Sequence, residues 1–348
     1  MLLNSLLGKT KFGFSLALHY FDFVEDRRRL GKKPKKVFFV CFSLALHYFG
    51  FAEDRRRFGK KTKKVFFVWF STHLALSLHQ MKTVRPKKNL GQHFLVDLNI
   101  AKAIADTVDA CPDIPVLEVG PGMGVLTQYL IEKPRPLRVV EIDKESVAFL
   151  KEHFPQLEQQ IIGDDFLRMD LSALFDGQPF VLTGNYPYDI SSQIFFKMLD
   201  YKDYIPCCTG MIQHEVAQRI ASQPGNKAYG ILSVMIQAWY DVEYLFMVDE
   251  HVFNPPPKVK SAVIRMTRNN VEHLGCDERL FRTVVKTVFN QRRKMLRVSL
   301  RQLFTKGTVA PDFFENEMMT MRPEQLTIPQ FVELTNLVAQ QMEMTGKT

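Results

Sequence analysis

A glycine-rich stretch behind an apolar run is the feature that most constrains the fold of this 348-residue chain. The run begins at Val116, and Gly120, Gly122 and Gly124 follow it before an amphipathic segment that ends near Glu132. Glycines let a backbone pass close to a ligand, and a helix amino terminus points free N–H groups at it. The pattern predicts a ligand bound at the first strand–helix turn of an α/β sheet.

Three acidic residues lie in or directly after successive apolar runs. Glu118 is inside the first run, Glu141 closes the run 137–140, and Asp164 follows the pair Ile161 and Ile162. Glu141 is placed to bind ribose hydroxyls, as the corresponding acid does in dinucleotide-binding folds, and Asp164 can accept a hydrogen bond from an adenine amine. Together with the glycine loop, these acids predict S-adenosyl-methionine as the cofactor, because it carries a ribose and an adenine but no pyrophosphate.

A nicotinamide-dependent enzyme is the first alternative. Its fingerprint is G-x-G-x-x-G, whereas the loop from Gly120 to Gly124 reads G-x-G-x-G and the strand before it contains an acid. The sequence therefore favours the methyl donor.

The motif Asn185-Tyr186-Pro187-Tyr188 follows the apolar run 180–184. Asn and Pro also favour ordinary turns. At the end of a strand, however, the Asn185 amide oxygen and the Tyr186 carbonyl can both accept from an exocyclic amine. Pro187 stiffens the turn, and the ring of Tyr188 offers a stacking face. Enzymes that modify a base grip it by edge hydrogen bonds and aromatic faces, so the motif predicts a base amine as the substrate.

The order of the predicted elements indicates an α/β fold. Strands are expected near 116–120, 137–141, 159–163, 180–184 and 205–212, and helical patterns separate them. This alternation predicts a doubly wound, Rossmann-like sheet with right-handed crossovers. Runs at 240–248 and 260–266 form a terminal pair. Beyond residue 268 the periodicity is helical only, so we expect a methyltransferase domain over 81–268 and a small all-helical C-terminal domain over 269–348.

The first 80 residues form a separate, repetitive segment in which residues 14–40 recur as 42–68. They hold 16 Lys/Arg and 5 Asp/Glu, which leaves 30 basic and 32 acidic residues for the rest. The uncharged runs 37–52 and 65–81 are at or below the roughly 17–25 residues of a membrane span. Acids precede both Arg triplets, unlike a transit peptide. A basic RNA-binding arm is one reading. We expect instead a disordered or non-native extension, with Met81 as the working start.

The cysteines and histidines predict neither disulfides nor a metal. The histidines show no H-E-x-x-H or Cys/His ligand pattern. The cysteines have unrelated spacings apart from one adjacent pair, and they are Cys41, Cys111, Cys207, Cys208 and Cys276. We therefore expect no disulfide framework, no metal site, a reducing compartment and a cytoplasmic location.

From Met81 to the C-terminus, further motifs occur in a characteristic order. They are K-K-N-L-G-Q-H-F-L from Lys87, E-V-G-P-G-M-G-V-L-T, E-I-D, G-D, N-Y-P-Y, F-N-P-P-P-K-V-K-S-A-V from Phe253 and F-N-Q-R-R-K from Phe289. This series closely resembles the small-subunit (16S) rRNA adenine dimethyltransferases of bacteria. Residues 1–80 match nothing in that pattern, and Tyr186 stands where the family usually has Leu.

The resemblance implies a role for individual residues of a class I methyltransferase. The G-Q-H-F-L segment closes over the methionine end of S-adenosyl-methionine in this family, and the expected cofactor contacts are Gln92, His93, Leu95, Gly120, Gly122, Glu141, Asp164 and Asn185. The expected catalytic and base-holding residues are Asn185, Tyr186, Pro187, Tyr188 and Phe253. Without the resemblance, His93 would be an ordinary loop residue and Phe253 a core residue.

The resemblance also implies the reaction and the partners. The expected reaction is dimethylation of the 6-amino groups of two adjacent adenosines in a 3′-terminal hairpin of small-subunit rRNA, within the immature small subunit, by a monomer with no membrane association. A helix over 292–306 should place apolar residues on one side and basic ones on another, and the expected RNA contacts are Arg292, Arg293, Lys294, Arg297 and Arg301. A DNA adenine methylase, a large-subunit rRNA methylase and a binding-only assembly factor are the alternatives.

Overall fold

The structure is a computed structural model that describes Lys87 and residues 92–304 and 311–344. The predictions for residues 1–80 lie outside the described residues, and the boundary at 268/269 stays a prediction. Among the described residues, no helix is both long and apolar enough to cross a membrane.

The strands of the described chain are β1 Phe94–Leu95, β2 Val116–Val119, β3 Leu137–Val140, β4 Ile161–Ile162, β5 Val181–Asn185, β6 Cys207–Gln213, β7 Tyr240–Val248, β8 Phe253–Asn254 and β9 Ser261–Arg268. Seven of them form a central sheet in the order β4-β3-β2-β5-β6-β9-β7. The neighbours from β4 to β6 are parallel, and β9 is antiparallel to both β6 and β7. A separate antiparallel pair joins β1 to β8. The doubly wound α/β prediction is confirmed.

Helices alternate with the strands and then continue alone. Short 3-10 turns connect several of them. The helices are α1 Leu98–Asp106, α2 Thr127–Leu130, α3 Lys144–His153, α4 Ser191–Asp200, α5 His214–Ala221, α6 Ile231–Gln237, α7 Glu278–Asn290, α8 Leu296–Ser299 and α9 Ile328–Met344.

Both faces of the sheet are covered, because successive strand residues belong to different cores. Val116 and Val181 lie in one apolar cluster, with residues of α1, while Leu117 and Leu182 lie in the other, with residues of α4 and α6. Side chains alternate between the faces of a strand, and a parallel sheet is normally buried on both. With both faces covered, the loops at the strand ends are left to bind a ligand, and the glycine loop and the Asn185–Tyr188 motif lie at the carboxyl ends of β2 and β5.

The C-terminal helices share the larger of these cores. Phe289 of α7 stacks on Phe331 of α9, with ring centroids 5.8 Å apart. The predicted helix over 292–306 was wrong in its extent, because only Leu296–Ser299 is α-helical and a 3-10 turn over Leu300–Leu303 follows it. It begins late because the chain turns after α7, where the Lys294 amide donates to the Gln291 carbonyl at 2.7 Å. Its apolar side is confirmed: Leu296 and Leu300 are fully buried.

The cysteine prediction was wrong in one respect, because Cys111 and Cys207 form a disulfide. The two residues are 96 positions apart in sequence. Cys111 ends the 3-10 turn after α1, and Cys207 begins β6, so the fold brings them together where sequence spacing cannot show it. Cys208 and Cys276 are free thiols.

Candidate functional site

The loop after β2 has the open backbone that its glycines predict. Gly120, Gly122 and Gly124 have φ values of +67°, +56° and +77°. Residues other than glycine rarely adopt positive φ values. A Cβ on Gly124 would lie 2.3 Å from Cε2 of Phe154, and one on Gly122 would lie 3.0 Å from Cε1 of Phe94. The loop is thus a tight cradle that larger residues would fill.

The carboxylate of Glu141 is held against this loop by two backbone amides. Gly122 N–H donates to Oε2 at 3.0 Å, and Asp143 N–H donates to Oε1 at 2.9 Å. The residue is 5% exposed. Burial raises its pKa, although the amides of Asp143 and Gly122 oppose the change. Each oxygen keeps a further lone pair, so the fixed carboxylate can still accept hydrogen bonds from a diol.

Glu118 lies beneath the same loop and is almost fully buried. Its Oε2 accepts a hydrogen bond from Oγ1 of Thr127 at 2.7 Å. Burial raises the pKa of Glu118 to about 8, and the neighbouring charge of Glu141 acts in the same direction. The cofactor side therefore contains two buried carboxyl groups.

Lys87, which precedes β1 in the chain, contacts this region. Its Nζ donates to Oδ1 of Asp143 at 2.5 Å and lies 3.2 Å from Oε1 of Glu145. Gln92 is bonded to Lys87, because its Oε1 accepts from the Lys87 amide at 2.9 Å. Asp143 is also the N-cap of α3. Although burial opposes it, the bond from Lys87 helps keep the pKa of Asp143 below its usual value.

The remaining predicted cofactor contacts differ in exposure. Leu95 is 2% exposed and belongs to the core, so its side chain supports the segment from below. Asp164 is exposed after β4, where its Oδ1 accepts from the Asp165 amide at 2.7 Å. The carboxylate of Asp164 is therefore open to solvent, and its contact with the cofactor stays a prediction.

Asn185 is the last residue of β5, and a contact from far along the chain orients its side chain. Its Nδ2 donates to the carbonyl of His93 at 3.3 Å. This bond directs the amide nitrogen toward the N-terminal segment and leaves Oδ1 as the acceptor that Asn185 has to offer. Oδ1 of Asn185 can therefore accept a hydrogen bond from a substrate amine.

Tyr188 is held at both its ring and its hydroxyl. The ring of His93 stacks on it, with centroids 5.5 Å apart and planes 27° from parallel. Nδ1 of His93 lies 2.9 Å from the carbonyl oxygen of Pro255. The Tyr188 hydroxyl is hydrogen-bonded to Oγ of Ser261, the first residue of β9. His93 therefore packs against one side of the Tyr188 ring, and stacking of a base on this partly exposed ring stays a prediction.

Tyr186 and Phe253 are both buried. Tyr186 is 1% exposed, and Phe253 is 3% exposed in the core beside Leu95, its partner in the β1–β8 pair. Tyr186 can therefore meet a substrate only through its backbone carbonyl. The expected role of Phe253 as a second aromatic wall stays a prediction.

Gly120 and Pro187 bring the two halves of the site together. A Cβ on Gly120 would lie 3.7 Å from both Cγ and Cδ of Pro187. The glycine loop after β2 and the Asn185–Tyr188 motif after β5 thus lie in contact, as adjacent parallel strands require. A methyl donor in the loop and an amine at the motif would be neighbours.

The five basic residues predicted to bind RNA fall into two groups. Four are exposed: Arg293, Lys294, Arg297 and Arg301. Arg292 is partly buried, where its Nε lies 3.7 Å from Oε2 of Glu324 and its guanidinium donates to the Asn226 carbonyl at 3.3 Å. Arg292 therefore contacts other parts of the fold. RNA contact by any of the five residues stays a prediction.

Sequence reasoning missed several supporting residues. Ser261, Thr127 and the Lys87–Asp143 pair bond directly to predicted site residues. Only Ser261 carried a signal, since it is a polar residue at the start of an apolar strand. The Lys87–Asp143 pair joins positions 56 residues apart and becomes visible only in the fold.

Comparison with known proteins identifies relatives by sequence and finds the same fold in solved structures. A protein from Phocaeicola vulgatus named "Ribosomal RNA small subunit methyltransferase A" is 67% identical over 258 residues, which cover 74% of this chain and 91% of that protein. The solved dimethyladenosine transferase from Plasmodium falciparum superposes with a TM-score of 0.59 at 22% identity, covering 73% of this chain and 98% of its own. The solved 23S rRNA methyltransferase ErmE reaches 0.50 at 26% identity, covering 71% and 99%.

The family model described as "Ribosomal RNA adenine dimethylase" matches residues 83–340. That span contains the cradle, the two buried acids and the Asn185–Tyr188 motif. This chain belongs to the ribosomal RNA adenine dimethylase family.

Proposed function

We propose that this chain transfers methyl groups from S-adenosyl-methionine to the 6-amino groups of two adjacent adenosines near the 3′ end of small-subunit rRNA. The observation that carries the proposal is the contact between Gly120 and Pro187, which places the cofactor cradle beside two carbonyl-type acceptors. The family and the 67% identical small-subunit relative support the substrate.

The cradle residues fit the cofactor. Glu141 is fixed to accept hydrogen bonds from ribose hydroxyls, and Asp164 is exposed to accept one from the adenine amine. His93 and Gln92 belong to the segment that Lys87 fastens to the Asp143 side of the cradle. When bound, S-adenosyl-methionine supplies a methyl group that is already activated for transfer.

The Asn185–Tyr188 motif acts on the amine. The lone pair of an adenine amine is delocalised into the ring, so the nitrogen is a poor nucleophile. Hydrogen bonds from its two N–H groups to Oδ1 of Asn185 and the Tyr186 carbonyl favour a pyramidal nitrogen and aim the lone pair. Tyr188 holds the ring by stacking. Positioning of this kind supplies a large part of the reduction in the activation barrier. No base is needed before attack, because the amine proton becomes acidic only after the nitrogen–methyl bond forms.

Small-subunit specificity and the immature subunit as substrate form the finer part of the proposal. The exposed residues Arg293, Lys294, Arg297 and Arg301 offer a face for phosphates. The test is incubation of the purified protein with S-adenosyl-methionine and small subunits from cells that lack the modification. We expect dimethyladenosine on small-subunit rRNA only. Methylation of large-subunit rRNA or of DNA at an equal rate would contradict the proposed specificity.

A further inference from the structure

The side chain of Tyr186 has an arrangement that its backbone role does not require. Its neighbours in the motif, Asn185 and Tyr188, are partly exposed, whereas Tyr186 is 1% exposed beneath them. The ring meets Phe195 edge-on, with centroids 5.6 Å apart. The side chain therefore cannot touch the base, and any effect on the reaction has to pass through the Tyr186 backbone.

Tyr186 is bound to β6 at two points on either side of Gly210. Its amide N–H donates to the Met211 carbonyl at 3.0 Å, and its hydroxyl donates to the Thr209 carbonyl at 3.0 Å. The Sγ of Cys208 lies 3.2 Å from the same hydroxyl. Burial raises the pKa of Cys208 to about 12, so the thiol stays protonated and can donate to the phenol oxygen.

Strand β6 leaves a slot for this ring at Gly210. Gly210 has a φ of +148°, and a Cβ there would lie 2.7 Å from Cε2 of Tyr186 and 2.3 Å from the Gly184 carbonyl oxygen. A Cβ on Gly184 would lie 2.5 Å from the Val119 carbonyl oxygen. The ring position thus depends on glycine at position 210 in β6, whereas Gly184 is required by the close approach of the Val119 carbonyl.

We propose that the Tyr186 phenol is a positioning residue that aims the Tyr186 carbonyl at the substrate amine by anchoring the motif to β6. Two bonds on one residue fix its Cα, and Pro187 restricts the peptide that follows. The direction of the carbonyl between them is then set. This inference rests on the proposed function, because it assigns the anchor of an acceptor in that reaction.

The matched pair of variants is Tyr186→Phe and Tyr240→Phe. Tyr240 is equally buried, and its hydroxyl donates to the Ile205 carbonyl at 2.8 Å, at the β7 edge of the sheet. Each variant removes one buried hydroxyl from a backbone carbonyl, so the loss of stability should be similar. Only Tyr186→Phe removes an anchor of the motif.

We expect Tyr186→Phe to lower kcat for methyl transfer by about ten-fold, since small misplacements of reacting groups are costly. Its affinity for S-adenosyl-methionine by calorimetry should stay within about two-fold of the parent, because the cradle is untouched. The ratio of dimethylated to monomethylated adenosine should fall, because the monomethylated amine keeps a single N–H and has fewer hydrogen bonds to offset a misaimed carbonyl. Tyr240→Phe should keep the kcat and the product ratio of the parent.

The measurement uses the full chain and small subunits that lack dimethyladenosine, with thermal unfolding of every variant alongside. Equal kcat and equal product ratios for Tyr186→Phe and Tyr240→Phe, with an active parent, would overturn the inference and leave the proposed function intact. A weakened cofactor affinity with unchanged kcat would also overturn it. An inactive parent would remove the proposed function and this inference together.

Discussion

The two halves of the site are held in different ways. On the cofactor side, backbone amides of the loops after β2 and β3 fix Glu141, at separations of 19 and 2 residues. On the base side, distant segments orient the acceptors: His93 holds Asn185 across 92 residues, and Ser261 holds Tyr188 across 73. A binding cradle can thus be built from local backbone, whereas the alignment of a reacting amine depends on the assembled fold.

This difference predicts that base-side changes affect catalysis and cofactor-side changes affect binding. The largest effect should come from Asn185→Ala, which removes one of the two acceptors. We expect kcat to fall by about 10²–10³-fold, the size seen when one preorganised hydrogen-bonding group is lost. The measurement is single-turnover methyl transfer to small subunits that lack dimethyladenosine.

The matched control for Asn185→Ala is Asn336→Ala. The Asn336 Nδ2 likewise donates to a backbone carbonyl, that of Gly275 at 3.1 Å, but it does so in the helical region. The control should keep full activity. An Asn185→Ala variant that methylates as fast as this control would show that the amide has no part in the reaction.

The second prediction concerns the residue that binds the cofactor ribose. Glu141→Ala should weaken S-adenosyl-methionine binding by about 10–100-fold, because it removes a carboxylate that accepts charge-assisted hydrogen bonds. Affinity for the small subunit should change little, since the residue is 5% exposed beneath the loop. Calorimetry measures the first quantity and filter binding the second, with the exposed Glu243→Ala as the control. Equal cofactor affinity in Glu141→Ala and the parent would remove Glu141 from the site.

The third prediction uses the pH dependence of stability. The pKa of Glu118 is raised from 4.5 to about 8 in the fold, so the folded state binds more protons than the unfolded state between these values. Stability from this group is therefore fully present below about pH 4.5 and is lost as pH rises toward about 8. Glu118→Gln lacks this loss and should melt on the order of 5 °C above the parent near pH 8, with a smaller difference near pH 5. Parallel melting curves across this range would contradict the assignment.

The smallest effects concern the helical region. Arg297→Ala combined with Arg301→Ala should weaken small-subunit binding a few-fold and flatten its salt dependence, as expected when phosphate contacts are lost. Arg292→Ala should instead lower the melting temperature, because it breaks the contacts to Glu324 and Asn226. A salt series and thermal unfolding on both variants test this. Identical salt slopes for the double variant and the parent would exclude these two residues as RNA contacts.

The same difference explains what the sequence could predict. The strand runs, the glycine loop and Glu141 are local patterns, and the structure confirms the α/β sheet that they indicate. The His93–Asn185 bond, the slot at Gly210 and the Cys111–Cys207 disulfide are products of long-range packing. The start of the last basic helix was misplaced because the four-residue spacing of Arg293, Arg297 and Arg301 continues backward into a turn that follows the end of α7.

The most direct measurement is mass spectrometry of the 3′-terminal fragment of small-subunit rRNA from cells that lack this chain and are complemented with either the parent or Asn185→Ala. The account predicts unmethylated adenosines at both adjacent positions in the deletion, two dimethyladenosines with the parent, and none with Asn185→Ala despite normal protein levels. Dimethyladenosine that persists at these positions in the deletion strain, or that returns with Asn185→Ala, would contradict it.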